Sequence, residues 1–520
     1  MGGAGMNLTD PDRARDDLAK AVRAGHPDTI ARTVVSNVWP LYTCHPEALT
    51  AAVVELPSAL LDRHPILRVL HPMTAVLARR ARSYQPVPHG QDARLMSADE
   101  LDFLILAQML AFRVNGDVTT AMVYAHRLEE RLRETAAEGR ERIDGPLWFL
   151  HHQIGSTMLA AGDSGRALLE FATARQLGKF SGQPYAERMA LSRSALAHAV
   201  RGTLDEAERA LAEAEDMPEV TSLHASATTS SERIAAALIA VDRRSGDVDE
   251  MLSGTCPVDS VELNWPFALL ARCRAYLSRH RPEDALEAIR IASDGHPTRG
   301  GSFAADVIAS STIEALIATG DSGYAWGIVK DNPKVGALTQ LATAHLALHD
   351  GRLDTASLEL RALASDQKIG PAQRAEAVLL SGWLELARTG ELDLESARQI
   401  VRIAQRRDRR RLLERMPRQL VERVRDTLDN EGREEWAEAT SDISFRDLQV
   451  RPSLTSGELR ILNALPAQRS TANMASAFHV SPNTVKSQLR SIYRKLGCST
   501  REEAIRIATR MRLLAATVND

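Results

Sequence analysis

The stretch Met189–Asp216, MALSRSALAHAVRGTLDEAERALAEAED, holds the pattern from which the fold is read. Met189–Val200 is an apolar helical run with small residues where a second helix would touch it. RGTLDEA (Arg201–Ala207) then supplies a Gly suited to the left-handed position that ends a helix, and an Asp able to cap the next one. From Asp205 onward an Ala/Leu face alternates with a charged face at helical period. The unit is helix, tight turn, helix.

The same punctuation recurs on both sides. Turns read VNGDV (Val114–Val118), AAGDSG (Ala160–Gly165), RGTLDEA, SGDVDE (Ser245–Glu250), HRPEDA (His280–Ala285), TGDSG (Thr319–Gly323), DGRLDTA (Asp350–Ala356) and TGELDLESA (Thr389–Ala397). Seven of these eight carry Gly, and they fall 31–46 residues apart. A period near 40 with helix-turn-helix units predicts an α-solenoid. The expected fold is therefore all-α, with a solenoid of helical hairpins over 101–428 and a helical N-terminal part of the array over 1–100, where His45–Leu70 has the same texture. The pattern resembles tetratricopeptide-like (TPR-like) repeats of the degenerate kind found in MalT/LuxR-type large bacterial regulators. The likeness spans roughly 30–428 and rests on turn chemistry and period; the usual consensus is poorly kept. It implies a concave surface for an unknown protein or small-molecule effector, with a ligand-free spacer as the other reading.

At 520 residues, with 44% apolar and 25% charged residues, the chain is too long for one core and too apolar for disorder. No signal-peptide core follows Met1 and no run of about 20 apolar residues occurs, so no membrane span and a cytoplasmic location are expected. Cys44, Cys256, Cys273 and Cys498 are scattered, as reduced thiols would be. Charge is uneven. Arg451–Asp520 holds 11 Lys and Arg against 4 Asp and Glu, a net +7, while 1–450 holds 53 against 64, a net −11. A basic tail on an acidic body points to a polyanionic partner for the tail alone.

Catalytic patterns are absent. Gly178-Lys179-Phe180-Ser181 lacks the upstream Gly and preceding strand of a phosphate loop, and no H-E-x-x-H, G-x-S-x-G or dinucleotide fingerprint occurs. His151 and His152 diverge by about 100° on a helix, a poor geometry for joint ligation. No enzyme, cofactor or metal site is expected. Arg402–Arg425 is Arg-rich, which suits either contact with DNA or a solvated helix face.

Asn430–Ser453 is polar and aperiodic, so 429–453 is expected to be a linker. Four short helices are then expected over 454–515. Thr455 and Glu458 form a capping box for Glu458–Leu465, with Leu459, Leu462 and Leu465 inward; Ser470 caps Thr471–Phe478, with Met474, Ala475 and Phe478 inward. Ser481-Pro482 starts the third helix, and Thr500 with Glu503 boxes the start of Arg501–Arg512. About three residues, His479-Val480-Ser481, separate helices two and three, which is helix-turn-helix spacing. On the third helix Val485, Leu489, Ile492 and Leu496 form a buried stripe, and Asn483, Lys486, Ser487, Arg490 and Arg494 lie opposite, suited to a major groove.

The run Val480-Ser481…Asn483-Thr484-Val485-Lys486…Leu489…Ile492-Tyr493-Arg494-Lys495-Leu496-Gly497, with Leu454, Glu458, Ala475, Ser499, Glu503 and Ala504, closely resembles the LuxR-type (GerE-like) DNA-binding domain over about 451–514. The resemblance implies a transcriptional regulator that reads double-stranded DNA. Lys486, Ser487 and Arg490 would approach bases, and Ser481, Asn483, Thr484, Arg494 and Lys495 would meet phosphates. Ile505, Ala508 and Met511 would form the contact of a homodimer on DNA, and RNA polymerase is a further candidate partner. Asn473, Gln468 and Gln488 depart from the family's usual acidic, Gly and His positions, which leaves the half-site open. No ATPase pattern precedes the repeats, so nucleotide switching is not expected. The alternative function is a repeat scaffold whose DNA-binding tail is secondary.

Overall fold

A computed structural model of the chain describes residues 11–64, 67, 98–134, 147–181, 185–220, 224–253, 263–296, 298–332, 336–441, 443, 445, 454, 456–468, 470–496, 498–510 and 514. Among them every regular element is a helix. They fall into two compact units: Met1–Ala315 with Lys330–Thr339 and Asp366–Arg374, and Leu316–Val329 with Gln340–Ser365 and Ala375–Asp520.

The predicted hairpin is Ala186–Arg201 followed by Leu204–Glu215. Gly202 takes φ +81°, and the Thr203 N–H donates back to the His198 carbonyl at 3.0 Å, closing the first helix in a six-residue loop. The same closure ends the first helix at Gly116, Gly162, Gly320 and Gly351. In the one turn without Gly, His280 itself adopts φ +59°, and before SGDVDE the closing residue is Arg244, φ +57°. At two other turns the Asp caps the second helix, Asp163 accepting from the Arg166 N–H at 3.1 Å and Asp117 from the Thr120 N–H at 3.1 Å. In RGTLDEA, by contrast, Thr203 holds the cap position without a side-chain bond and Asp205 lies within the first turn.

The two helices of a hairpin bury different amounts of surface. Leu204–Glu215 buries one stripe, Leu204, Ala207, Ala210 and Ala214. Leu147–Ala160 is buried nearly all round, including Gln153, Ser156 and Thr157. A helix enclosed on all sides must pair its polar side chains internally. Arg113, fully buried, donates to the Gln153 carbonyl at 3.0 Å, to Thr157 Oγ1 at 2.9 Å and to Gln153 Oε1 at 2.6 Å. Arg188 forks onto Glu232 at 2.9 and 3.0 Å, and Arg274 reaches Asp242 at 3.2 Å. Asp306 accepts from the Thr339 N–H at 2.8 Å and hydroxyl at 2.6 Å. Burial pushes the Asp306 carboxyl above the usual range against these hydrogen bonds.

Contacts in the first unit also skip a hairpin. Phe149 lies 5.3 Å from the His224 ring and 5.6 Å from that of Tyr42, and the Cys44 thiol meets the Tyr185 hydroxyl at 2.9 Å. These contacts lie within the continuous buried core of the first unit. His152 joins this cluster while His151 turns to Glu170 at 2.7 Å. Cys273 is buried and its thiol is pushed up to about 12. Cys256 and the stretch 68–97 lie outside the described residues.

The expected linker begins as a helix. Asp429 caps Asn430–Thr440 by accepting from the Gly432 N–H at 2.9 Å, and Trp436, only 4% exposed, anchors it. Gln405, just after the helix Leu394–Ala404, and Arg398 within it reach Glu435 and Asp429 at 3.2 and 3.4 Å. One apolar contact on an otherwise polar helix leaves no period to read, which is why the segment looked aperiodic. The Arg-rich segment is in large part the solvated face of its second reading: Arg402, Arg406, Arg407, Arg418, Arg423 and Arg425 are exposed, while Leu412, Leu413, Met416 and Leu420 are buried. Arg409 and Arg411 are buried beside Asp408 and Glu414, and Arg415 bonds Glu376 at 2.7 Å and His345 at 3.1 Å.

Gly202→Ala is expected to lower stability by about 1–2 kcal/mol, because a Cβ is strained at positive φ. Gly295→Ala, at ordinary φ with open space around it, should be neutral or stabilising by up to about 1 kcal/mol. Urea unfolding of both variants checks the contrast.

Candidate nucleic-acid interface

Four helices build the C-terminal region: Ser456–Ala464, Thr471–Ala477, Pro482–Leu496 and Arg501–Arg510. Their shared core is Ile461, Leu462, Leu465, Met474, Ala475, Val485, Leu489, Ile492, Leu496, Ala504 and Ala508. Leu459, expected inside, is 38% exposed, and Ile461 takes its place. The periodic match at 459, 462 and 465 was real, but Ile461, Leu462 and Leu465 also share a helical face.

Ser470 caps the second helix as expected, accepting from the Asn473 N–H at 3.1 Å. That helix closes through His479 at φ +55°, with the Val480 N–H donating to the Ala475 carbonyl at 3.0 Å. The third helix starts at once. Ser481 Oγ accepts from the Thr484 N–H at 3.0 Å and lies 2.8 Å from Thr484 Oγ1. Pro482 takes the first helical position, where a missing N–H leaves nothing unsatisfied.

The third helix carries the candidate surface. Val485, Leu489, Ile492 and Leu496 are buried, and Asn483, Lys486, Ser487, Arg490 and Arg494 are exposed on the opposite arc. Ser481 and Thr484 are exposed at its start. Among the described residues Lys486, Arg490 and Arg494 make no ion pair, so the arc keeps three uncompensated cations. Ser491, half-exposed one turn after Ser487, shares the arc; a search guided by charge passes over it. Gln488 turns toward the first helix, where a Cβ added at Gly457 would stand 3.0 Å from its Nε2. The side chain of Lys495, with Thr455 and Met511, lies outside the described residues.

The fourth helix is held by two devices. Glu503 accepts from the Ser499 and Thr500 N–H groups at 3.1 and 3.3 Å, and Thr500 Oγ1 accepts from the Glu503 N–H at 3.2 Å. Arg501 donates to the carbonyls of Leu465 and Gln468, a strut absent from the sequence reading. Ala508, expected on an exposed dimer face, is fully buried, and Ile505 is half-buried against the same core. The outward residues are Glu502, Arg506 and Thr509. In so small a domain the core needs the fourth helix's small side chains, which draws Ala504 and Ala508 inward.

The backbone N–H groups of Ser499 and Thr500 hold the Glu503 carboxyl below its ordinary range. A lowered folded pKa contributes stability above the unfolded value near 4.5, and that contribution is lost as pH falls through the folded value. Glu503→Gln should therefore open Arg501–Arg510 at pH 7, with the difference from the parent chain shrinking below pH 4.5. Hydrogen exchange on the full chain reads this.

Among the described residues no helix is long and apolar enough to cross a membrane, and no three His, Cys, Asp or Glu side chains gather as a metal site. Residues 452–508 match the sequence profile of bacterial regulatory proteins, luxR family. Two relatives, each described as "Probable transcriptional regulatory protein NarL", come from Mycobacterium tuberculosis strains CDC 1551 / Oshkosh and ATCC 25618 / H37Rv. Each is 37% identical over 73 residues, 14% of this chain. The chain spans about a third (34%) of the length of these curated relatives. The four-helix region is a LuxR-type helix-turn-helix domain at the C-terminal end of a helical-repeat chain.

Proposed function

We propose that the chain is a DNA-binding transcriptional regulator that reads duplex DNA in the major groove through Pro482–Leu496, with the repeats as its regulatory part. The observation that carries this reading is the exposed, unpaired cationic arc opposite the buried stripe of that helix. Lys486, Ser487 and Arg490 approach base edges. Ser481, Asn483, Thr484, Arg494 and Lys495 meet phosphates, which set register and most of the affinity. The repeats receive a protein or small-molecule effector, and RNA polymerase is the partner of the bound state.

Lys486→Ala and Arg490→Ala should each weaken binding to the cognate operator by about 1–3 kcal/mol. Arg494→Ala should weaken binding to every sequence alike and reduce the salt slope by about 1. Gel shifts at several salt concentrations separate the two behaviours, and unchanged cognate affinity for Arg490→Ala would sink the base-reading role.

On DNA the chain acts as a homodimer through its last helix, in a form adjusted to the burial of Ala508. Glu502 and Arg506 are exposed one turn apart beside Ile505. Across a two-fold axis Glu502 of one copy meets Arg506 of the other, and the reverse. Glu502→Arg or Arg506→Glu alone should reduce cooperative binding to a paired half-site, and the double exchange should restore it. One copy per paired site for the parent chain in light scattering would reject the dimer.

A further inference from the structure

A groove of about 450 Å³ in the second unit, between Pro371–Thr389 and Arg418–Thr427, has no part in reading DNA. Two backbone features open it. Pro417 interrupts the helical run, so that the wall restarts at Arg418, and Gly390 at φ +78° ends the facing helix without a side chain. Trp383, Leu386, Ala387 and Pro417 give it an apolar lining. Its volume falls in the range of small-molecule sites, about 300–1,000 Å³.

The charges at its edge define what would fit. Of the acidic lining residues, Asp426 is already paired with Arg425 at 3.0 Å. Glu422 and Arg423 follow each other on the helix and diverge by about 100°, so they can meet two separate groups of a ligand but not one atom. Both are exposed and line the groove, and among the described residues neither makes an ion pair. A ligand with one charge would answer one of them and leave the other beside it. A zwitterion with an apolar body answers both. We propose that this groove binds a free α-amino acid with an apolar or aromatic side chain. Its ammonium meets Glu422, its carboxylate meets Arg423, and its side chain covers Leu386, Ala387 and Pro417. A ligand of this size has an expected Kd on the order of 1 mM. The site stands on its own geometry and does not depend on the DNA reading.

Calorimetry on the full chain tests this with three probes of one shape: L-phenylalanine, phenethylamine, which lacks the carboxylate, and 3-phenylpropanoate, which lacks the ammonium. L-phenylalanine should bind once per chain, with each analogue about fivefold weaker. Glu422→Gln should bring L-phenylalanine down to the level of 3-phenylpropanoate, and Arg423→Gln to that of phenethylamine. Ala387→Trp fills the groove and should remove binding of all three; the side chain is exposed, so the fold tolerates the change. No heat from any probe at about 10 mM overturns the proposal. So does equal binding of phenethylamine and L-phenylalanine, or binding that survives Ala387→Trp.

Discussion

Successive first helices of the repeat array are joined by polar side chains that are buried or largely so. Arg113 with Gln153, Arg188 with Glu232, Arg274 with Asp242, Asp306 with Thr339 and Arg415 with Glu376 each tie one hairpin to the next, 32–44 residues along the chain. Such a pair adds only about 1 kcal/mol of net stability, but removing one partner leaves a buried group unsatisfied at a cost of several kcal/mol. The asymmetry makes these pairs register marks. Ala- and Leu-rich faces pack acceptably in more than one stagger, whereas Arg113 reaches both Gln153 and Thr157 in only one.

The same constraint accompanies the burial of first helices such as Leu147–Ala160 and Ala186–Arg201 over most of their surface. With Gln153, Thr157 and Arg193 bonded within the array, the rings of Phe149, Tyr42 and His224 meet across a hairpin. Solvent-facing chemistry then moves to the second helices, which bury one stripe and carry charge elsewhere. The candidate amino-acid groove, in the second unit, lies where Pro417 separates Arg410–Glu414 from Arg418–Thr427.

What could be read in the sequence was what is encoded locally. Gly202 and the Asp caps act within six residues, so the turns, their period and the hairpin order follow from short strings. The helix Pro482–Leu496 was legible for the same reason: Ser481, Pro482 and the Val485 stripe act within one element. The register pairs were not, because Arg113 gives no sign that its partner is 40 residues away. Nor was Asn430–Thr440, whose single anchor Trp436 leaves no period. Ala508 was misassigned because an alanine on a charged helix fits a core and a surface equally well, and only the other three helices decide.

The two parts of the chain therefore differ in how much a local error matters. Within the first unit a hairpin packs on its neighbours, as Ala186–Arg201 does on Ser164–Gly178 and Ala225–Arg243, and the positive-φ closures at Arg244 and His280 sit in that setting. The C-terminal domain has one small core and no neighbour of its own kind, so its end-of-helix bonds weigh more. Ser470, Ser481, Thr500 with Glu503, and the Arg501 strut secure the starts of three helices out of four. The helix so held offers its outer arc without the core having to contribute a charge. Among the described residues Lys486, Arg490 and Arg494 make no ion pair, which leaves them available for the proposed contacts with phosphate and base edges.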